Sequence, residues 1–133
     1  MAAADELNGD VLARIADDVP VVMVNLMKFR AASADGDGSG WDAYLRYSKQ
    51  VSPLIKARGG AIIWAGTAHG ASFGPAASGD WDYVALVRYP GKEAFRDMIV
   101  SPEYEAANVH RANGVERHTI IATEQAYGRF RED

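Results

Sequence analysis

The sequence predicts an α+β domain of the split-βαβ, ferredoxin-like pattern: βαββαβ, with a four-stranded, mostly antiparallel sheet and an extra helix at the N-terminus. Three observations predict it. Four stretches are dense in β-branched and aromatic residues. A helical stretch follows the first of them, and a broken pair of helical stretches follows the third. The order repeats although no sequence repeats at a fixed period, so the symmetry is one of pattern. At 133 residues the chain makes one domain: N-terminal helix in 1–20, core in 21–123, tail in 124–133.

Each element has its own reason. Val11, Leu12, Ile15, Ala16 and Val19 recur at helical spacing, which predicts a short helix over about 10–17, closed before Pro20. Residues 21–30 read as the first strand. Residues 31–40 (AASADGDGSG) are small, polar and glycine-rich, a mobile loop or a cover. Trp41, Tyr44, Leu45, Val51, Leu54 and Ile55 mark a helix over 41–58, interrupted at Pro53 with a restart capped by Ser52, and stopped by Gly59-Gly60. A second strand covers 61–73, bent at Gly66 and Gly70, and a third covers 81–89. Residues 92–100 form a short helix, Ser101-Pro102 caps another that runs to about Asn113, and 117–123 is the last strand. The polar tail 124–133 carries Tyr127 and Phe130 as anchors.

Strand residues alternate between faces. The first strand sends Val21, Met23, Asn25, Met27 and Phe29 one way and Val22, Val24, Leu26 and Lys28 the other. The third divides in the same manner, and both faces come out mostly apolar. Two helices cover one face of a four-stranded sheet. A wet apolar face is costly at roughly 25 cal/mol per Å². The expected remedy is a second copy, sheet against sheet, in a homodimer. The alternative is that the N-terminal helix or the tail covers that face.

Fourteen basic and 18 acidic residues leave a net charge of -4, which argues against nucleic acid as a partner. With no cysteine there is neither a disulfide framework nor a thiolate site. No stretch reads as a membrane span or a signal peptide, so a cytoplasmic protein with no membrane partner is expected.

Asn25 stands on an otherwise apolar face, either as a hydrogen-bonding group in a cleft or as a structural amide. Trp81, Tyr83 and Tyr89 share one face of the third strand by period two, and Trp64 on the second strand adds to them. They make either an aromatic wall for a flat apolar ligand or ordinary core. Tyr104, Asn108 and Arg111, at i, i+4 and i+7, form one helical stripe able to fix an oxygen anion; the structural alternative is core packing for Tyr104 and a capping Arg111. His69 edges a pocket or sits in solvent. His69, His110 and His118 make no metal motif with one another, so neither a metal nor a cofactor is expected. Asn25, Tyr89 and Arg111 are thus the candidate catalytic residues, and Trp64, Trp81, Tyr83, Tyr104, Asn108 and His69 the candidate substrate-binding ones.

The series Asn25-Leu26-Met27-Lys28-Phe29, Tyr44/Tyr47, Pro53-Leu54, Gly59-Gly60, Trp81-Asp82, 84–90 (VALVRYP), Lys92-Glu93-Ala94-Phe95, Met98, Ser101-Pro102-Glu103-Tyr104 and Arg111 resembles the family called domain of unknown function 1330, over about 21–123. The resemblance implies a dimeric α/β barrel and no particular reaction. The same superfamily includes cofactor-free and haem-degrading monooxygenases. The latter use an Asn on the first strand, a Trp late on the third and a His on the following helix; Asn25 matches, Tyr89 replaces the Trp, and the His position falls near Asn108, two residues before His110.

Three functions compete. The first is binding or transformation of a small aromatic or apolar molecule in a cleft between sheet and helices, in its sharpest form by cofactor-independent oxygenation of a phenol or enol. The second is a non-enzymatic stress-type or structural dimer whose barrel is filled by side chains. The third, haem handling, ranks last.

Overall fold

The computed structural model describes residues 2–128. Its order is α1 (Gly9–Leu12), β1 (Val21–Phe29), α2 (Gly40–Ala57), β2 (Ala61–Thr67), β3 (Tyr83–Tyr89), α3 (Lys92–Ile99), α4 (Pro102–Gly114) and β4 (Val115–Glu124), with 3-10 turns at Ala3–Glu6 and Ala76–Gly79. The sheet runs β2-β3-β1-β4, every pairing antiparallel. This is the ferredoxin-like α+β arrangement, with the apolar β1 in the middle.

Register fixes the faces. Val21, Met23, Asn25 and Met27 lie opposite Tyr89, Val87, Ala85 and Tyr83 on one side and Glu124, Ala122, Ile120 and His118 on the other. This row faces the helices: Val21 and Met23, at most 1% exposed, pack with Tyr47, Val51, Phe95, Met98, Ile99 and Tyr104, while Met27, equally buried, packs with Ala85, Val115 and the partly buried Phe29, Tyr44 and Tyr83. The opposite row holds Val22, Val24 and Leu26, with Val84, Leu86 and Ile121 beside them. At the two edges of this face Ile121 on β4 and Trp64 on β2 are each about half exposed, and among the described residues no helix covers them.

Local chemistry explains the helix ends. Ser39 and Asp42 form a reciprocal capping box on α2, and Ser101 caps α4 with Pro102 in its first turn, as the sequence suggests. Gly40 and Gly114 abut where α2 starts and α4 ends; a Cβ on either would collide with backbone of the other segment.

Several boundaries differ from expectation. The helix does not restart at Pro53: α2 runs through it, held by buried Tyr47, Val51 and Ile55, while the Ser52 hydroxyl donates to the Ser48 carbonyl instead of capping. β2 stops at Thr67, opposite the first residue of β3, Tyr83, and beyond that pair one backbone bond follows, from the Ala68 N–H to the Asp82 carbonyl. Asp82 turns the chain into β3, its N–H donating to the Met27 carbonyl and its carboxylate accepting from the Phe29 N–H. β4 starts at Val115, directly after α4. The N-terminal helix is a single turn, followed by Asp18 in the left-handed region (φ 61°). The 31–39 segment is tied down: the Ala34 N–H donates to the Asn113 carbonyl and the Ser33 N–H to the Gly38 carbonyl. It covers the end of α4. Tyr127 is 78% exposed and packs into no core among the described residues, and Phe130 lies outside them. Among the described residues no helix is long and apolar enough to cross a membrane.

Candidate functional site

The helix-facing row of the sheet carries two polar side chains near its centre, Asn25 on β1 and His118 on β4. Antiparallel register sets His118 opposite Met27, one step along the row from Asn25. The Asn25 amide nitrogen donates to the Met23 and Ala85 carbonyls (3.2 and 3.4 Å). Its oxygen lies 2.9 Å from His118 Nε2. His118 Nδ1 accepts from Arg111 Nε at 2.8 Å. These contacts fix the tautomer: Nδ1 must be bare, so Nε2 bears the proton and donates to Asn25.

α4 delivers the cation. Asn108 and Arg111 stand one turn apart, and Arg111 Nη1 donates to the Asn108 oxygen at 2.9 Å. Nη1 and Nη2 both donate to the Glu6 carboxylate (3.1 and 3.3 Å), which comes from the N-terminal segment. The result is one hydrogen-bonded chain, Glu6–Arg111–His118–Asn25, running from the surface to the sheet. The Arg111 side chain is only 13% exposed.

This chain borders a cleft of about 250 Å³. Leu7, Val11, Leu12, Met23, Phe95 and Ile99 supply apolar wall, and Glu6, Arg111 and His118 the polar groups. Deeper in lies a cavity of about 40 Å³, bordered by Asn25, Tyr47, Tyr104 and His118 among others. That is room for about one water molecule. The Tyr47 and Tyr104 hydroxyls bond to each other there at 2.8 Å.

Charge states follow from burial. Desolvation, then the neighbouring Arg111, pulls the His118 pKa down to about 3, so the ring is neutral. Burial works against the charge on Arg111, but its hydrogen bonds to Glu6 help raise its pKa above the ordinary value. Burial pushes the phenols of Tyr47, Tyr89 and Tyr104 up, and that of Tyr44 to about 12. These groups are hydrogen-bonding phenols, not phenolates. With both ring nitrogens engaged, His118 is not a free base; it orients Arg111. The cleft is therefore bordered by one fixed cation, its outer edge paired with the half-exposed Glu6 carboxylate, beside an apolar wall, and that edge is suited to an oxygen anion.

The structure brings together Asn25, Asn108, Arg111 and Tyr104 from the sequence-derived candidates. Tyr89 is core, 3% exposed, and borders the deeper cavity with Asn25 and Tyr104, its hydroxyl directed at the Met98 sulfur (3.8 Å). The others lie apart. Trp64 lies on the opposite face, over Gly66, because an irregularity between Ile62 and Trp64 resets the alternation of β2. Trp81 precedes β3 and does not share its face; its ring stacks under Arg117, 4.7 Å from ring centre to guanidinium carbon. Tyr83 joins Phe29, Trp41 and Tyr44 in an aromatic cluster at one end of the sheet. His69 is exposed beyond the end of β2. Among the described residues no three His, Cys, Asp or Glu side chains are placed to hold a metal ion.

Two members of the site were not singled out. His118 carried a signal: period two from Ile120 and Ala122 puts it on the Asn25 row. Glu6 carried none, since nothing local in the sequence ties it to a residue 105 positions away.

Comparison with known proteins places this geometry. The profile of the family described as Domain of unknown function (DUF1330) matches residues 39–125. The RPA0582 protein of unknown function from Rhodopseudomonas palustris is similar, with a TM-score of 0.79 at 30% identity over 90% of this chain and 92% of that one. Its methylated form gives 0.78 at the same identity, over 90% and 89%. More distant likenesses show the fold alone. A dimeric ferredoxin-like protein of unknown function from Thermobifida fusca has a TM-score of 0.52 at 15% identity, over 80% of this chain and 92% of that one. Hydroxynitrile lyase from Passiflora edulis has 0.56 at 11%, over 84% and 97%. None of the curated proteins matches.

Proposed function

The chain belongs to the family described as Domain of unknown function (DUF1330), and we propose that it binds a small, mainly apolar molecule in the cleft between sheet and helices, holding an oxygen anion of that molecule at Arg111. One observation carries this reading: a guanidinium 13% exposed, oriented by His118 and Asn108, borders a cleft of about 250 Å³ with an apolar wall. A fixed cation at low dielectric favours an anion strongly, and the wall selects an apolar body. The volume is at the small end for a ligand site, so the molecule is of about one-ring size.

A barrel filled by side chains predicts no such cleft and no polar chain leading to it. The test is titration of the purified protein with simple aromatic and aliphatic compounds, neutral and anionic, followed by nuclear magnetic resonance of the Met23 methyl and the His118 ring. Saturable shifts at both, lost in Arg111→Ala, are expected. No saturable shift with any compound overturns the reading. Oxygen consumption with phenols, abolished in the same variant, would extend binding to cofactor-independent oxygenation.

The same reading includes a homodimer through the outer sheet face. Val24, Leu26, Val84, Leu86, Trp64 and Ile121 give that face its apolar character and leave it partly or half exposed. The Thermobifida fusca protein, of the same fold, is described as dimeric. Light scattering at micromolar concentration tests it, and a monomer overturns it.

A further inference from the structure

We propose that the ligand of this cleft is a carboxylate, and that Glu6 occupies its anion position until the ligand displaces it. This rests on the cleft being a binding site and narrows the class of molecule it takes.

The argument begins with the guanidinium's donors. Arg has five N–H groups. In Arg111, Nε is spent on His118, one N–H of Nη1 on Asn108, and Nη1 and Nη2 each give one more to Glu6. That accounts for four of the five; of these, the two that an outside anion can take over together are the Nη1–Nη2 edge held by Glu6. Two near-parallel donors there match a planar anion with two oxygens, and the Glu6 carboxylate takes both. A phenolate or alkoxide has one oxygen and leaves one of those donors short.

The manner in which Glu6 is held makes it displaceable. The backbone hydrogen bonds made from Asp5 to Ile15 all close within residues 2–15, joining Asp5 to Ala2, Leu7 to Ala4, Val11 and Leu12 to Asn8, Ala13 to Gly9, Arg14 to Val11 and Ile15 to Leu12. Among the described residues no ladder joins this segment to the sheet. It is held by buried Ala3, Leu12 and Ile15, by Lys92 donating to the Leu12 and Ile15 carbonyls, and by Glu6 itself. The Glu6 side chain is 50% exposed against 13% for Arg111, so the carboxylate can rotate into solvent while the cation stays in place. The same segment supplies Leu7, Val11 and Leu12 to the apolar wall. A carboxylate ligand therefore replaces one ion pair with another and leaves Arg111 paired throughout, avoiding the cost of an unpaired buried cation. A neutral ligand enters the same cleft with Glu6 still seated.

The experiment uses benzoate and its neutral analogue benzamide, titrated by calorimetry into the full chain and into Glu6→Gln. Glu6→Ala, which cannot hold the edge at all, serves as the second variant, and circular dichroism checks that each variant is folded. Benzoate is expected to bind both variants at least about tenfold more tightly than the unaltered protein, and to gain clearly more than benzamide does. Benzamide binding without any gain for benzoate in either folded variant would overturn the carboxylate assignment alone. Binding of neither compound to any of the three proteins would overturn the cleft reading as well.

Discussion

The two faces of the sheet are built from similar strands and meet different fates. The helix-facing row is covered by the helices and borders the cleft, and within it Asn25 and His118 are paired with each other, with backbone and with Arg111. The outer row is apolar apart from residues such as Lys28 and Arg88, and the chain's own helices leave it uncovered. Polar groups on the covered face are costly unless satisfied, so their presence there marks a site. Apolar groups on the uncovered face are costly in water, so their presence marks a partner. The same physical rule, read on two faces, separates chemistry from assembly.

The largest expected effect breaks the outer face. Leu86→Asp sets an unpaired charge where the second copy is proposed to sit. An uncompensated buried charge costs about 3–5 kcal/mol, so the dissociation constant should rise by more than about 100-fold. Sedimentation at micromolar concentration should then show monomer, with thermal stability of the protomer little changed because Leu86 faces away from the helices. A dimer that survives the substitution would assign the interface elsewhere.

On the covered side the helices themselves are the weak point. Gly114→Ala drives a methyl group into the start of α2, where backbone and the Ala43 side chain leave no space. Overpacking at such a position should cost about 1–3 kcal/mol, measured by urea denaturation, and should loosen the α2–α4 pair that carries Arg111. An unchanged midpoint would mean that the two helices adjust freely.

How much of this was legible in the sequence depended on the range of the interaction. The alternation in 21–29 fixed both faces of β1, and the Ser101-Pro102 cap marked the start of α4, because each is local. The spacing of Tyr104, Asn108 and Arg111 put three site residues on one helix for the same reason. Trp64 went astray through an irregularity in β2 that shifts side chains from one face to the other, which no local pattern signals. Trp81 went astray because Asp82, by bonding to β1, delays the start of β3. Pro53 read as a break, but packing on both sides of it overrode propensity. Glu6 joins the site only through tertiary structure.

A smaller effect sharpens the contrast from within the covered row. Asn25→Ala removes the acceptor of the His118 N–H while leaving the backbone free to close. A buried donor left unsatisfied costs about 1–3 kcal/mol, part of which the water-sized cavity beside it can return. Asn25→Asp keeps an acceptor for His118 but gives up the amide's donations to Met23 and Ala85, so it should restore only part of the stability at neutral pH. If both variants match the unaltered protein in denaturation, the polar chain contributes nothing to the fold.

The finest test is pH. Neutral His118 in the folded chain, with its pKa near 3, takes up no proton where an ordinary histidine, at about 6.5, already has one. Between those values the unfolded chain binds more protons than the folded one, so stability rises with pH through that window and is complete above about 6.5. One such group contributes at most about 1.4 kcal/mol per pH unit. The comparison is between the unaltered protein and His118→Gln, which does not titrate, over pH 6.5 to 5, above the range where the carboxylates of Asp35, Asp42 and Asp80, all held below their ordinary value, lose their charge. The unaltered protein should lose stability more steeply on acidification, and the gap between the two should narrow as pH falls. Parallel curves would mean that His118 is protonated in the fold, which its acceptance of the Arg111 N–H forbids; the orientation of Arg111, and the anion site with it, would then have to be built another way.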